Sequence, residues 1–343
     1  MNTNTTHRHY QSRKIPNNHQ KNIPRKESFN QSLELLAESL PTNDNRYQKK
    51  TSIYNKSDHS QFQEFHTIEA NSLEKRDIIP PLAPEDIRVI PIGGVEQIGQ
   101  NMTMIEYRNQ IIVIDAGIQF KDDSTPGIQY IIPNTGYLEE RKHLIKGVVI
   151  THGHLDHIGG IPFVMEKLGN PPIYTREFGA LLINKRQEEF PHLPPLDIRI
   201  VEKEDGSITI SEDLKVRFFG LTHSIPDSTG VVVETPYGDI VSTGDVRVEN
   251  IEGVPVTEEV EQYKFFRDRK VLLMTMDSTG VPAPGWSLAE SIVVKTVDEI
   301  IRENKGRLFI GTFASQVERI IEFIKSAKRY GRYVRPKGKN DEE

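Results

Sequence analysis

The 343-residue chain contains no cysteine. Disulfide bonds and thiolate ligation are therefore excluded, and any metal must sit among nitrogen and oxygen donors. No apolar run approaches the roughly 20 residues that a membrane-spanning helix needs. The first residues are rich in Asn, Thr and His and lack the apolar core of a signal peptide. These absences lead us to expect no membrane association and a cytoplasmic location. Positive charge is scarce in most of the chain. Residues 1–84 hold 12 Lys and Arg against 9 Asp and Glu, whereas the remainder holds 31 against 40, for a net charge of −6. An acidic body argues against nonspecific nucleic-acid binding but leaves room for a locally basic channel.

At this length, with 36% hydrophobic residues, one large domain or two ordinary ones can form. Residues 1–84 lack sustained periodicity and read as a disordered polar and basic tail, with short helical turns around residues 32–39 and 61–73. Such a tail can brush RNA or a partner, although most are simply solvated. Pro80-Pro81-Leu82-Ala83-Pro84 reads as a hinge.

What the chain does have is concentrated at Thr151-His152-Gly153-His154-Leu155-Asp156-His157-Ile158-Gly159-Gly160. Four potential ligands, His152, His154, Asp156 and His157, fall within six residues, directly after the apolar run Gly147-Val148-Val149-Ile150. That run reads as a buried strand delivering side chains to its C-terminal end. Alternate residues of an extended segment point the same way, so His152 and His154 can grip one ion. Asp156 and His157 follow where the chain turns toward a helix and can face a second. Imidazole and carboxylate suit zinc, manganese or non-haem iron. A lone His after a strand is usually structural, but packing has no use for this clustering.

Around that stretch, residues 87–92 read as a strand and residues 101–107 and 110–115 as a hairpin about Arg108-Asn109. Residues 161–168 and 177–185 read as helices, and 171–175 as a strand. Residues 198–210 and 214–219 read as strands, and 230–243 as a hairpin. This order suits a layered α/β sandwich. Beyond about residue 258 a second unit begins, with a strand at 271–276 ending in Asp277-Ser278-Thr279, a helix at 288–304, a strand at 307–311 and a helix at 315–330. The glycine-rich segment 93–101 lacks the order of a dinucleotide fingerprint. The single tryptophan, Trp286, reads as a packing anchor rather than a base-stacking platform.

The H-x-H-x-D-H spacing is the signature of the metallo-β-lactamase superfamily, which the chain resembles beyond that motif. The resemblance implies an αββα sandwich with ligands on loops at one edge. It places further ligands at His223, in Gly220-Leu221-Thr222-His223-Ser224-Ile225-Pro226-Asp227-Ser228, and at Asp245, in Val241-Ser242-Thr243-Gly244-Asp245. Residues 93–101, Ile131-Ile132-Pro133-Asn134, Tyr137-Leu138 and Ile158-Gly159-Gly160-Ile161-Pro162 narrow it to a resemblance to ribonuclease J. Those are bacterial and archaeal RNA-processing enzymes of the β-CASP group, and Asp277 looks like the first acidic motif of the β-CASP domain.

The resemblance implies three regions: a tail at 1–84, the first part of the lactamase domain at 85–258, and a partial β-CASP domain at 259–343. It implies two divalent ions, zinc foremost, with Mn²⁺ or Mg²⁺ as alternatives. His152, His154 and His223 would hold one ion, Asp156 and His157 the other, with Asp245 bridging. Asp156, His157 and Asp277 would have catalytic roles, and Asp115 would orient a ligating His. The substrate would be RNA, cut 5′-to-3′ from its end and internally by a hydroxide shared between the ions. Relatives assemble as dimers or tetramers, which we do not expect of this chain. Two alternatives at other positions stay open. Asp277 is also readable as a turn former, and Phe313-Ala314-Ser315 lies near the RNA phosphate or supplies a helix cap at Ser315.

Two departures from the family pattern stand out. Leu155 occupies a position where many relatives carry Glu. The family's lactamase domain resumes after the β-CASP insertion with two further His, whereas no His follows His223 here. The sequence thus reads as a C-terminally incomplete copy, with the resemblance spanning about residues 86–334. Other readings are a lactamase-fold hydrolase of a thioester, lactone or small phosphodiester, and a metal- and RNA-binding fragment without turnover. The Asp277-Ser278-Thr279 unit speaks against the former, while the missing His residues favour the latter.

Overall fold

The computed structural model describes residues 79–120, 126–202 and 206–336. The described residues up to Arg332 fall in one compact unit. The expected tail up to residue 78, with its two helical turns, lies outside the described residues.

A long β-branched alternation builds two stacked sheets. In the first, β1 (Ile87–Gly93), β2 (Met102–Tyr107) and β3 (Gln110–Ile114) pair antiparallel. The two-residue turn at Arg108 (φ 47°) and Asn109 (φ 58°) has positive φ at both positions, the geometry whose twist matches a hairpin. Short β4 (Gln119–Phe120) and β5 (Tyr130–Ile131) pair with each other, and α1 (Gly136–Glu139) follows. The first sheet continues parallel through β6 (Ile145–Val149), β7 (Ile173–Thr175) and β8 (Ile198–Ile200), in the order β1-β2-β3-β6-β7-β8. Helices α2 (Leu155–Ile158), α3 (Ile161–Val164) and α4 (Glu177–Gln187) make the crossovers.

The second sheet contains β9 (Ser207–Thr209), β10 (Lys215–Gly220), β11 (Thr229–Thr235) and β12 (Gly238–Ser242), all antiparallel. After the small β13 (Asn250–Ile251) and β14 (Val254–Pro255) hairpin and α5 (Thr257–Tyr263), β15 (Val271–Thr275) adds parallel to β12. Helices α6 (Glu290–Glu303) and α7 (Val317–Arg329) come last.

Alternation along each strand sorts the side chains into layers. Ile105, Tyr107, Ile112, Ile114 and Val149 of the first sheet meet Val216, Phe218, Val231, Val233 and Ile240 of the second. Their neighbours Met102, Met104, Ile111, Val113 and Val148 face the other way, onto Leu138, Ile158, Ile161, Val164 and Ile183 of the helices. On the far side of the second sheet, Phe219, Val232 and Val241 pack on Tyr263, Phe265 and Phe266. The result is the expected αββα sandwich. Both faces are covered along β2, β3, β6, β10, β11 and β12, which is why those strands read as near-continuous apolar runs, whereas β15 at the edge of the second sheet is exposed along its length. Each fully buried Val, Ile or Phe contributes about 1.5–3 kcal/mol.

Strand direction decides where the loops emerge. β10 and β12 both oppose β11 and therefore run the same way, as does β15. The chain after each leaves the second sheet at one edge.

Several expectations fail. No strand forms at 307–311. Phe309 is 89% exposed there, and no neighbouring strand supplies the pairing that extended backbone needs. The helix expected over 161–168 stops at Val164, and the chain reverses through Gly169 (φ 83°) and Asn170 (φ 52°). Ser315 is not the cap of α7, a place taken by Gln316. Trp286 is 67% exposed and anchors no core. Finally, β15 completes the second sheet of the sandwich, although its sequence reads as the start of the following unit.

Candidate metal centre

β6 ends at Val149, and the next residues form the floor of the site. Thr151, His152 and Gly153 are irregular, His154 sits at the N-terminal end of α2, and Asp156 and His157 lie within that helix. The short helix is held from below by backbone. Ala116 N–H donates to His157 O (2.8 Å), Gly160 N–H to Ala116 O (2.8 Å) and Asn101 N–H to Asp156 O (3.1 Å). Gly117 permits this approach, since a Cβ there would lie 1.5 Å from the Asp156 carbonyl oxygen.

His223 comes from the loop between β10 and β11. Thr229, at the start of β11, donates its N–H and its hydroxyl to Thr151 O (3.1 and 3.0 Å), tying that loop to the first sheet. Asp227 in the same loop accepts from Arg176 (3.3 Å) and from Phe178 N–H (3.1 Å). Asp245 follows β12 across Gly244, whose φ of 58° lets the turn press against Thr151, where a Cβ would meet the Thr151 side chain at 2.8 Å.

The six expected ligands converge. His152, His154, His223 and Asp245 each offer one donor atom within 4.8 Å of the others, and Asp156, His157 and Asp245 form a second such group. His154 Nδ1 faces both His152 Nε2 (3.0 Å) and His223 Nε2 (3.1 Å). One Asp245 oxygen stands 3.1 Å from His157 Nε2, and the other stands 3.6 Å from His223 Nε2 and 4.0 Å from His152 Nε2. Asp156 is 3.6 Å from His157 Nε2.

Hydrogen bonding does not explain this grouping, because one Nδ1 cannot satisfy two facing nitrogens by a single shared proton. A tetrahedral ion with ligands at ~2.0–2.1 Å sets their donor atoms about 3.3 Å apart. The spacing found here is close to that, so the donor set fits a divalent metal.

Proton positions agree. Asp115, buried and at a left-handed φ of 61°, accepts from Thr151 N–H (2.8 Å), from the Thr151 hydroxyl (2.8 Å) and from His157 Nδ1 (2.8 Å). With its only hydrogen given to Asp115, the Thr151 hydroxyl accepts from His152 Nδ1 (3.0 Å). Both rings then carry a proton on Nδ1 and turn Nε2 toward the pocket, bare at His152 and sharing a proton with Asp245 at His157 (3.1 Å). Burial pushes the pKa of His152 well below its ordinary value, and the imidazoles of His157, His223 and His154 push the same way. Burial also lowers His154, against the pull of Asp156 and Asp245, and brings His223 down to about 4. At His157 burial opposes a proton, but Asp115 and Asp245 on either side outweigh it and raise the pKa well above the usual value. Asp245 is lowered despite burial, chiefly through its hydrogen bond with His157.

Asp277 does not join the ligands. Its carboxylate accepts from Thr279 N–H (2.8 Å) and from Val246 N–H (3.3 Å), the residue after Asp245. Phe313 is 76% exposed. Sequence reasoning missed Asn101, whose amide nitrogen lies 3.1 Å from His157 Nε2, and the Thr151 hydroxyl. The glycine-rich run before Asn101 was the available signal for the first.

The family model described as the metallo-beta-lactamase superfamily matches residues 95–273, a segment that holds β2 to β14 and both ligand groups. The chain belongs to that superfamily. Within it, the chain is 37% identical over 266 residues to ribonuclease J of Thermus thermophilus, covering 75% of this chain and 46% of the relative. It is 33% identical over 256 residues to ribonuclease J2 of Bacillus subtilis, covering 75% and 46% respectively. The chain thus spans about half the length of the curated relatives it matches. Among solved structures, a protein of unknown function from Enterococcus faecalis V583 aligns with a TM-score of 0.50 at 17% identity, over 69% of this chain and 62% of that one. That likeness speaks to the superfamily fold alone. Among the described residues, no helix is long and apolar enough to cross a membrane.

Proposed function

We propose that this lactamase-fold chain carries the hydrolytic centre of a ribonuclease J-type enzyme, acting on RNA phosphodiester bonds in RNA processing and decay. The observation behind the reading is the pair of ligand groups joined through Asp245, in a chain whose curated relatives named ribonuclease J are 31 to 37% identical. His152, His154 and His223 are assigned to one ion, Asp156 and His157 to the other, and Asp245 to both. Zinc suits this all-nitrogen-and-oxygen set, and Mn²⁺ or Mg²⁺ suits a phosphate substrate. Bound there, the ions supply Lewis-acid polarisation of the phosphate and a water of lowered pKa.

The chain's own residues do the positioning. Asp115 and Thr151 hold the His157 and His152 rings with Nε2 inward. Asp277, through Val246 N–H, steadies the turn that presents Asp245, so its role in catalysis is exerted through that ligand. Helices α6 and α7 are assigned to the opening of the β-CASP domain, and cleavage to both 5′-to-3′ exonucleolytic and internal modes.

The test combines metal analysis with cleavage of a single-stranded RNA and of a thioester by the same preparations. His154→Ala and Asp156→Ala are each expected to lose bound metal and RNA cleavage together. Two ions retained in both variants, or thioester turnover in place of RNA turnover, overturns the assignment.

A further inference from the structure

An open pocket of about 540 Å³ lies between the β13–β14 hairpin, α5 and the segment that precedes α6. Val248, Pro255 and Val260 give it apolar walls, and Lys264 and Arg267 bring positive charge. The remaining side is Trp286, the only tryptophan of the chain. At 67% exposure Trp286 presents a large, rigid and amphipathic ring that is open to a partner.

Trp286 is exposed yet braced. Asn250, 4% exposed, donates its amide to Ser287 O and to Val248 O (3.2 Å each) and accepts from Gly253 N–H (3.0 Å). Glu252 (φ 50°) and Gly253 (φ 82°) form a tight turn that brings the backbone against the indole, where a Cβ on Gly253 would lie 2.2 Å from Trp286 Nε1. One buried amide thus fixes the residue after the tryptophan, a wall residue of the pocket and the turn beneath the ring.

One of the two charges is unpaired: among the described residues Arg267 makes no ion pair, whereas Lys264 pairs with Glu261. Tyr263 also lines the pocket, and its hydroxyl is buried with no hydrogen-bond partner among the described residues. With Glu252, Glu258 and Glu261 close by in sequence, this is no general polyanion surface. It offers one stacking plane and two cations, the complement of a single base with its phosphate. Val248 is three residues past Asp245, so their Cα atoms are at most about 11 Å apart and one short strand can reach both places.

We propose that this pocket seats one nucleotide of the single-stranded RNA beside the bond to be cut, its base stacked on Trp286 and its phosphate held by Arg267 and Lys264. The identity of the strand rests on the ribonuclease reading, but the test does not. The full chain is titrated in EDTA, which stops cleavage, with a short oligoadenylate while the emission of its single tryptophan is followed. Saturable quenching is expected. By anisotropy of a labelled strand, Trp286→Ala and Arg267→Ala should each bind about tenfold more weakly, with Trp286→Phe restoring most of the loss.

Unchanged emission at saturating strand, or parental affinity in both weakened variants, overturns the pocket. AMP binding as tightly as the oligonucleotide overturns its assignment to a strand. His154→Ala separates the two proposals, because it should lose cleavage and keep the quenching. Cleavage by the parent without quenching sinks the pocket alone, and quenching without cleavage sinks the ribonuclease reading alone.

Discussion

At the scale of single residues, the centre depends on side chains that touch no substrate. Asp115 gathers three donors, fixes the tautomer of His157 directly and fixes that of His152 through Thr151. Replacing Asp115 by Ala should therefore lower metal affinity about 10–100-fold. Competition against a chromogenic chelator measures this, and an unchanged affinity would show that the rings hold themselves. Gly117 tests the backbone support in the same way. A methyl group 1.5 Å from the Asp156 carbonyl oxygen cannot be absorbed without moving α2, so Gly117→Ala should cost about 3 kcal/mol and weaken metal binding as well. A melting temperature and metal content like those of the parent would refute it. His152, His154, Asp156 and His157 were legible from spacing alone. His223 and Asp245 were legible only through family resemblance, because nothing local distinguishes either from an ordinary turn residue. The Thr151 hydroxyl was invisible as the link that orients His152, since that role exists only once Asp115 arrives beneath it.

At the scale of elements, strands that bury both faces announced themselves, as Ile111 to Ile114 and Val231 to Val233 show by supplying alternate residues to different layers. Pairing was less legible. Residues 307–311 have strand-like composition and no partner, while β15 found one in the first domain that the sequence had assigned to the next. Periodicity reports which face a residue prefers; the hydrogen-bonding neighbour is a tertiary fact. The second sheet is also tied by charge. Glu234 on β11 meets Arg217 (3.0 Å) on β10 and Arg269 (2.8 Å) before β15. Burial alone would raise its pKa, yet hydrogen bonds from Arg269 and Arg217 overcome that and hold it at about 2. A carboxyl depressed in the fold stabilises above its unfolded value of 4.5, and the contribution disappears as pH falls toward about 2. The carboxylate is only half-buried, so screening limits the effect to on the order of 1 kcal/mol. Glu234→Gln should therefore melt earlier than the parent at pH 6, with the two curves converging near pH 2. A gap that stays constant across that range would assign the loss to packing instead.

At the scale of the whole sandwich, the centre doubles as a fastener. Its ligands come from both sheets: His152, His154, Asp156 and His157 follow β6 of the first, and His223 and Asp245 follow β10 and β12 of the second. Without cations, four imidazoles and two carboxylates are held at short range by backbone ties such as Thr229 to Thr151 and by partial hydrogen bonds. A ligand that binds only the folded chain stabilises it by mass action, about 2.7 kcal/mol at a hundred times its dissociation constant. For a unit of this size that corresponds to a melting temperature raised by roughly 5–10 °C. Dialysis against EDTA should lower the transition by that amount, and added Zn²⁺ should restore it. Hydrogen exchange should quicken on metal removal in the loops after β6, β10 and β12 together, because the ion joins all three. It should stay unchanged at Val113 and Val232, whose strands are held by their own sheets. Faster exchange in only one of those loops would mean that the ions sit on one sheet and that the two ligand groups do not act as a single bridge.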